Sequence, residues 1–519
     1  MLFTTLVFLP LVFAAVLLFW PKLSSLRHLA FGFSVLQFLL TLSLIDRFNG
    51  ATASLQFVEK YPWIERFGIS YFLGIDGISL WLIVLTNFLT PIIILASWNS
   101  IEKRVKGFHI ALFVLQTAMQ GSFLAMDAIF FYTFWELSLI PMYFMIGIWG
   151  GQRRIYATVK FFIFTMAGSV LMLVAMIYMM YLTQEATGQM SASLLDFYKL
   201  KIPFVGGTFL SLQTVLFFAF ALAFAIKVPM FPLHTWLPDA HVEAPTPGSV
   251  ILAGVMLKMG TYCFLRWVIP LFPDAAEHWS WLFLLLGVIG IIYGALVAMV
   301  QPDVKKLVAY SSVSHMGYIV LGMFVFNEIG ISGALYQMLN HGISTGALFL
   351  LIGMIYERTH SREIEKYGGL AGAMPIFSTF FLIITLSSIA VPMTNGFVGE
   401  FLILLGTYQA DKGFAYFAVS GVVLGAVYML WMYKRIFFGA KGELVMDEKH
   451  PLKDLNWREI AVLVPLVLMV FWMGLFPNHF LNKSKASIQH LVQNKNNYFL
   501  SMGENAPAAI PAPAHEVSQ

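Results

Sequence analysis

Cysteine is almost missing from this chain. Cys263 is the only one in 519 residues. That excludes an intrachain disulfide, a thiolate-held iron–sulfur cluster and a cysteine-based zinc site. Charge is scarce as well: Asp, Glu, Lys and Arg make up 11% of residues, against roughly 25% in soluble domains. No long polar region suggests a soluble domain. No G-x-G-x-x-G follows a strand pattern, so the chain carries no nicotinamide or flavin motif. The net charge of +4 is scattered over loop lysines and arginines and implies no nucleic-acid partner. What is abundant is apolar: 59% hydrophobic residues and a mean hydropathy of +0.78. The reading is an all-α, polytopic membrane protein.

A span needs roughly 20 apolar residues, and scanning on that basis gives about fourteen. They lie near 2–20, 28–45, 75–98, 107–126, 128–149, 155–182, 209–232, 247–269, 279–300, 305–326, 332–356, 375–394, 414–438 and 459–477. The first is read as an uncleaved span, because it has neither a basic n-region nor an A-x-A-like site. With the N-terminus outside, the inside loops hold nearly twice the lysine and arginine of the outside segments. That asymmetry supports an even span number with both termini outside. In this count Lys305 falls in an inside loop and Arg266 in an outside one. Lys160 sits near the inner end of its span and is expected to snorkel.

Spans four to eight and nine to thirteen form two sets of five. Five is odd, so the second set enters from the opposite side, the layout of an inverted repeat. The fourth member of each set is interrupted, and Val-Pro-Met recurs at both interruptions, at 228–230 and 391–393. The expected organisation is N-terminal helices over 1–106, a first five-helix repeat over 107–272, a second over 273–440, and a C-terminal helix with an Ala/Pro-rich tail over 441–519. The tail from about 505 reads as disordered.

Titratable residues stand inside these apolar runs. Glu136 lies in an aromatic span, where an unpaired carboxylate is costly, and Lys227 is its natural counter-charge. Lys227 immediately precedes the Val228-Pro229-Met230-Phe231-Pro232 break. Broken backbone is tolerated at membrane depth only against protein or water. A lysine at a helix end can also simply snorkel. Lys258 is mid-span, too deep to snorkel easily, and a desolvated lysine can cycle between charge states. His315 and His341 sit inside spans ten and eleven among serines and threonines. Each could relay protons or be an ordinary hydrogen-bonded helix contact. His234 and His241 flank the first break and could form an inner entrance or be satisfied loop residues. Glu400 follows the second break and is expected beside water at an exit, or simply at the interface. No i,i+4 histidine or carboxylate accompanies the histidines, which argues against a metal.

The stretch Lys227-Val-Pro-Met-Phe-Pro-Leu-His-Thr-Trp-Leu-Pro, continuing to Lys258, closely resembles the proton-pumping, antiporter-like subunits of respiratory complex I. Ala309-Tyr-Ser-Ser-Val-Ser-His315-Met-Gly and Asn340-His341-Gly fit the same family. The resemblance covers about residues 70–440. It implies that Glu136 and Lys227 gate proton uptake, Lys258 is central, and Glu400 passes the proton out. Sister subunits L and N carry lysine where Glu400 stands. The resemblance also implies FMN and iron–sulfur clusters on partner subunits and none on this chain, with the L and N subunits and membrane lipids as neighbours. The location it implies is a bacterial inner membrane. A subunit of a multi-subunit Na⁺/H⁺ antiporter shares this fold and these lysines. A non-transporting scaffold leaves the buried charges unexplained.

Overall fold

The structure is a computed structural model, and it describes residues 2–206, 208–446 and 451–493. Ten helices among these are long and apolar enough to cross a membrane. Shorter apolar helices at Leu80–Ala96, Leu212–Lys227 and Pro375–Ser388, together with Val105–Leu124, account for the other stretches read from the sequence. The expected spans are therefore all helical. The tail read as disordered lies outside the described residues.

The interruptions fall where proline predicted them. The seventh span runs Leu212–Lys227, breaks, and resumes at Trp236–Glu243. Pro229 and Pro232 have no N–H to give a helix ladder, so the chain cannot continue straight through. The twelfth runs Pro375–Ser388 and resumes at Asn395–Ala410. Ala390 (φ 58°) and Met393 (φ 76°) adopt left-handed backbone there, a conformation unfavourable for side chains with a Cβ and held only by the surrounding packing. The eighth span, Thr246–Val268, stays continuous but carries two π-helical stretches, Leu252–Met256 and Phe264–Val268, on either side of Lys258. Its apolar stretch is buried, as are nearly all of the tenth (Val304–Phe324) and the body of the eleventh (Glu328–Thr359). These three helices form the centre of the molecule.

Two elements were not expected. An antiparallel hairpin pairs Gln56–Ile64 with Ile69–Ile75, turning at Gly68 (φ 61°). The cue was present in the β-branched and aromatic residues of both strands, but hydropathy scanning for long apolar runs passes over it. Asp127 ties the hairpin to the bundle: one carboxylate oxygen caps Ile129 N and Phe130 N, and the other accepts from Ser70 N at 2.8 Å. The second element is a C-terminal helix, Asn478–Gln493, with Phe480, Ser484, Ser487, Ile488 and Leu491 buried. Their spacing defines one helix face. The remaining positions are mostly polar, so the helix lies along the bundle.

Candidate functional site

Side chains from the eighth, tenth, eleventh and twelfth spans meet in the buried centre. Lys258 is fully buried, and its Nζ donates back to the carbonyl of Ala253. Ala253 belongs to the first π-helical stretch. Such a stretch shifts the ladder by one residue and turns carbonyls toward the site. The same Nζ stands 2.6 Å from His341 Nδ1. This contact depends on close helix approach: a Cβ on Gly342 would fall 2.9 Å from the Gly254 carbonyl. Only glycine leaves room for the two backbones to touch.

His341 and His315 face each other edge to face, ring centroids 5.9 Å apart. His315 Nδ1 in turn contacts Glu400 Oε1 at 3.0 Å. Gln337 Nε2 donates to the same oxygen at 3.1 Å, and Asn340 Nδ2 donates to Gln337 Oε1 at 2.9 Å. Gly399 makes space for this cluster, since a Cβ there would fall 2.4 Å from Gln337 Oε1. A polar cleft of about 10 Å³ is lined by both histidines with Asn340, Ser344, Ser387 and Ser388, room for about one water. Beside it, Ser387 Oγ donates to Asn395 Oδ1 at 2.6 Å and lies 2.7 Å from Ser344 Oγ.

Lys227 ends the first half of the seventh span, where the carbonyl end of the helix dipole favours a cation. It is buried, with Nζ 3.4 Å from Ser138 Oγ and 5.1 Å from the Trp135 ring centroid. The expected direct ion pair with Glu136 is not closed: among the described residues no salt bridge joins them. The two groups still act on each other electrostatically. Glu136 Oε1 is buried without a protein partner. The Trp-Glu-Leu-Ser order puts Ser138 just beyond Glu136, and its hydroxyl takes the contact instead.

His234 lies in the turn between the two half-helices and His241 in the helix that follows it, and both are buried. His234 is buried against Phe231 and Tyr293, and Nδ1 has no partner. His241 stacks on Phe349 at 4.6 Å, with neither ring nitrogen bonded. It lies within the electrostatic reach of both Lys305 and Lys258.

Four expectations need correcting. Lys305 is no loop cation. It is buried, and its Nζ caps the Ala244 carbonyl at 2.6 Å. Arg266 is no outer-loop cation either. It lies in the second π-helical stretch, 1% exposed, paired with Asp76 at 2.5 Å. Lys160 does not merely snorkel, because it bridges Asp239 at 2.7 Å. Glu400 does not face open water: it is 4% exposed and held by His315 and Gln337. The residues missed in advance are Ser138, Gln337, Asn340, Asn395, Asp76 and Arg266. Polar amides inside a span were the available signal for Gln337 and Asn340. Among the described residues, no group of three or more His, Cys, Asp or Glu side chains is placed to hold a metal ion.

This arrangement of broken helices around buried lysines, histidines and a carboxylate defines a class. Residues 125–425 match the family described as "NADH:quinone oxidoreductase/Mrp antiporter, TM", and residues 1–121 match "NADH-ubiquinone oxidoreductase chain 4, amino terminus". NADH-quinone oxidoreductase subunit M of Rhodobacter capsulatus is 46% identical over 98% of this chain and 99% of its own length. The subunit M of Rickettsia prowazekii is 45% identical over 94% of this chain and 97% of its own. A chain in the structure of respiratory complex I from Thermus thermophilus with bound NADH superposes with a TM-score of 0.85 at 32% identity, covering 95% of this chain and 99% of that one. A chain of the Mrp complex from Dietzia shares the fold at 20% identity (TM-score 0.80, covering 96% of this chain and 99% of that one). The chain belongs to the NADH-quinone oxidoreductase subunit M (chain 4) family.

Proposed function

We propose that this chain is a proton-translocating membrane-arm subunit of an NADH:quinone oxidoreductase. One observation carries the reading: Lys258, His341, His315 and Glu400, from four different helices, form one buried acid–base line. Proton transfer needs heavy atoms within about 2.6–3.2 Å, directly or through one water. The Lys258–His341 and His315–Glu400 contacts meet that range. The polar cleft between the two rings supplies the remaining step through a bridging water or the flanking serines.

Proton uptake is assigned to Glu136 and Lys227, with His234 and His241 on the inner side. Lys258 and the two histidines carry the middle, and Glu400 is the discharging group. Unpartnered buried atoms on Glu136, His234, His241 and His341 fit this use. Each such atom costs about 1–3 kcal/mol unless something bonds it. A hydrated path provides that bond. The driving force per charge is about 2.3 kcal/mol per 100 mV.

FMN and iron–sulfur centres are assigned to partner subunits, and no redox centre to this chain. Subunits L and N are the proposed neighbours. The membrane is the bacterial inner membrane, with both termini on the periplasmic side. The domain division at 106, 272 and 440 is kept as part of this reading.

The test is NADH-driven proton uptake by inverted vesicles at equal complex content. Glu136→Ala is expected to lower uptake strongly with assembly intact. Wild-type uptake in an assembled Glu136→Ala complex removes Glu136 from the path. A gently solubilised complex is expected to contain flavin- and iron–sulfur-bearing subunits. Recovery of antiporter chains alone overturns the assignment.

A further inference from the structure

A second feature lies behind the proton line and contributes no titratable group to it. A crevice of about 530 Å³ opens between the second, third, eleventh and fourteenth spans and the C-terminal helix. It follows the fourteenth span from Pro465 to Trp472, roughly 10 Å of helix rise. Pro465 lies inside that helix and cannot bond the carbonyl of Ala461, which bends such helices and opens gaps beside them. The rim is exposed, with Leu42 38% and Leu468 63% accessible, whereas the floor at Leu85, Leu339 and Ile343 is buried. Apart from one end, every lining side chain is apolar or aromatic.

That end is charged. Lys483 lines it, and its Nζ donates to the carbonyls of Ile45 (3.1 Å) and Phe48 (2.8 Å), where the second span finishes. A lysine ammonium has three donors, so one N–H remains to face the mouth. The crevice thus has an apolar body inside the membrane and a fixed cation at the membrane boundary.

We propose that the crevice is a phospholipid site: one acyl chain lies along the floor and the phosphate meets the third N–H of Lys483. The volume is within the roughly 300–1,000 Å³ of small-molecule pockets. A neutral isoprenoid head leaves the Lys483 charge unanswered, whereas a phosphate complements it. The floor is the back of the proton line. Leu339 and Ile343 flank Asn340 and His341 on the eleventh span, and Leu85 packs directly on Gly342. The bound chain therefore fills the wall behind His341.

The experiment uses the whole complex in nanodiscs made with phosphatidylglycerol carrying a diazirine near the end of one acyl chain. After photolysis, peptides of this chain are mapped by mass spectrometry. Adducts on Leu85, Leu339 or Ile343 are expected, because bulk lipid cannot reach these buried residues. Val84→Trp, which fills the crevice, is expected to lower these adducts by about tenfold, the effect of displacing roughly two chain methylenes from an apolar site. Adducts on Val423, exposed on a distant helix, stay constant. Leu42→Trp at the rim is the second variant if Val84→Trp fails to assemble. Lys483→Gln is expected to lower floor labelling by the phospholipid but not by a diacylglycerol probe. Adducts confined to exposed residues, floor labelling indifferent to both Trp variants, competition by a quinone, or a cross-link from the floor to another subunit each overturn the proposal.

Discussion

Lys258 Nζ lies 2.6 Å from His341 Nδ1, deep between two helices that touch backbone to backbone at Gly254 and Gly342. A lysine and a histidine this close cannot both carry a charge at low cost in a buried setting. The pair therefore carries at most one excess proton, and passing it between the two bases is the smallest step in the line.

Lys258→Met removes the amine and keeps most of the volume. NADH-driven proton uptake is expected to fall by about 100-fold or more at equal complex content, the scale of losing a positioned proton-transfer group. Lys258→Arg is expected to do little better, because guanidinium hardly deprotonates. Normal pumping in the Met variant assigns Lys258 to structure alone.

Gly342→Ala is expected to weaken the same contact without touching a titratable group. The added Cβ meets the Gly254 carbonyl at 2.9 Å and Leu85 Cδ2 at 2.7 Å, so the helices must separate, at about 1–3 kcal/mol for overpacking. The readouts are a lower melting temperature of the complex and reduced proton uptake. Unchanged values for both disprove the close-approach argument.

Glu400 is bonded by His315 and Gln337. Glu400→Gln keeps its shape but does not titrate, and is expected to impair pumping more than Glu400→Asp. Glu400→Lys is expected to retain part of it. Equal vesicle uptake for Gln and wild type places Glu400 off the pathway.

The Arg266–Asp76 pair joins the Lys258 helix to the loop after the hairpin. Ser484 and Ser487 of the C-terminal helix hold the same loop at Gly77. Both partners are almost fully buried, so removing one takes away the other's buried counter-charge, costing about 3–5 kcal/mol. Asp76→Ala is expected to reduce assembled complex sharply. Asp76→Leu combined with Arg266→Met is expected to recover much of it, since apolar replacement of a buried pair is often neutral. Assembly of the Asp76→Ala single variant at wild-type level contradicts the ion-pair account.

Much was readable from the chain alone. Long apolar runs require helices, because no water is present at membrane depth to bond a free backbone. Pro229, Pro232 and Pro392 marked the breaks, since proline gives the ladder no donor. Glu136, Lys227, Lys258, His315, His341 and Glu400 stood out because a titratable group in such a run is costly and seldom without a partner or a use. Those properties belong to single residues or short windows, and a sequence displays them directly.

What the tertiary structure decided was pairing. Glu136 and Lys227 looked like partners, yet Ser138 takes the lysine contact. Arg266 and Lys305 looked like loop cations, yet one is locked to Asp76 and the other caps a carbonyl. Glu400 looked solvent-facing, yet it is enclosed by His315 and Gln337. Each partner lies on a different element, many residues away in the chain. The angle and distance between helices are set by packing at positions such as Gly254, Gly342 and Gly399, and no local pattern of charge or hydropathy records them.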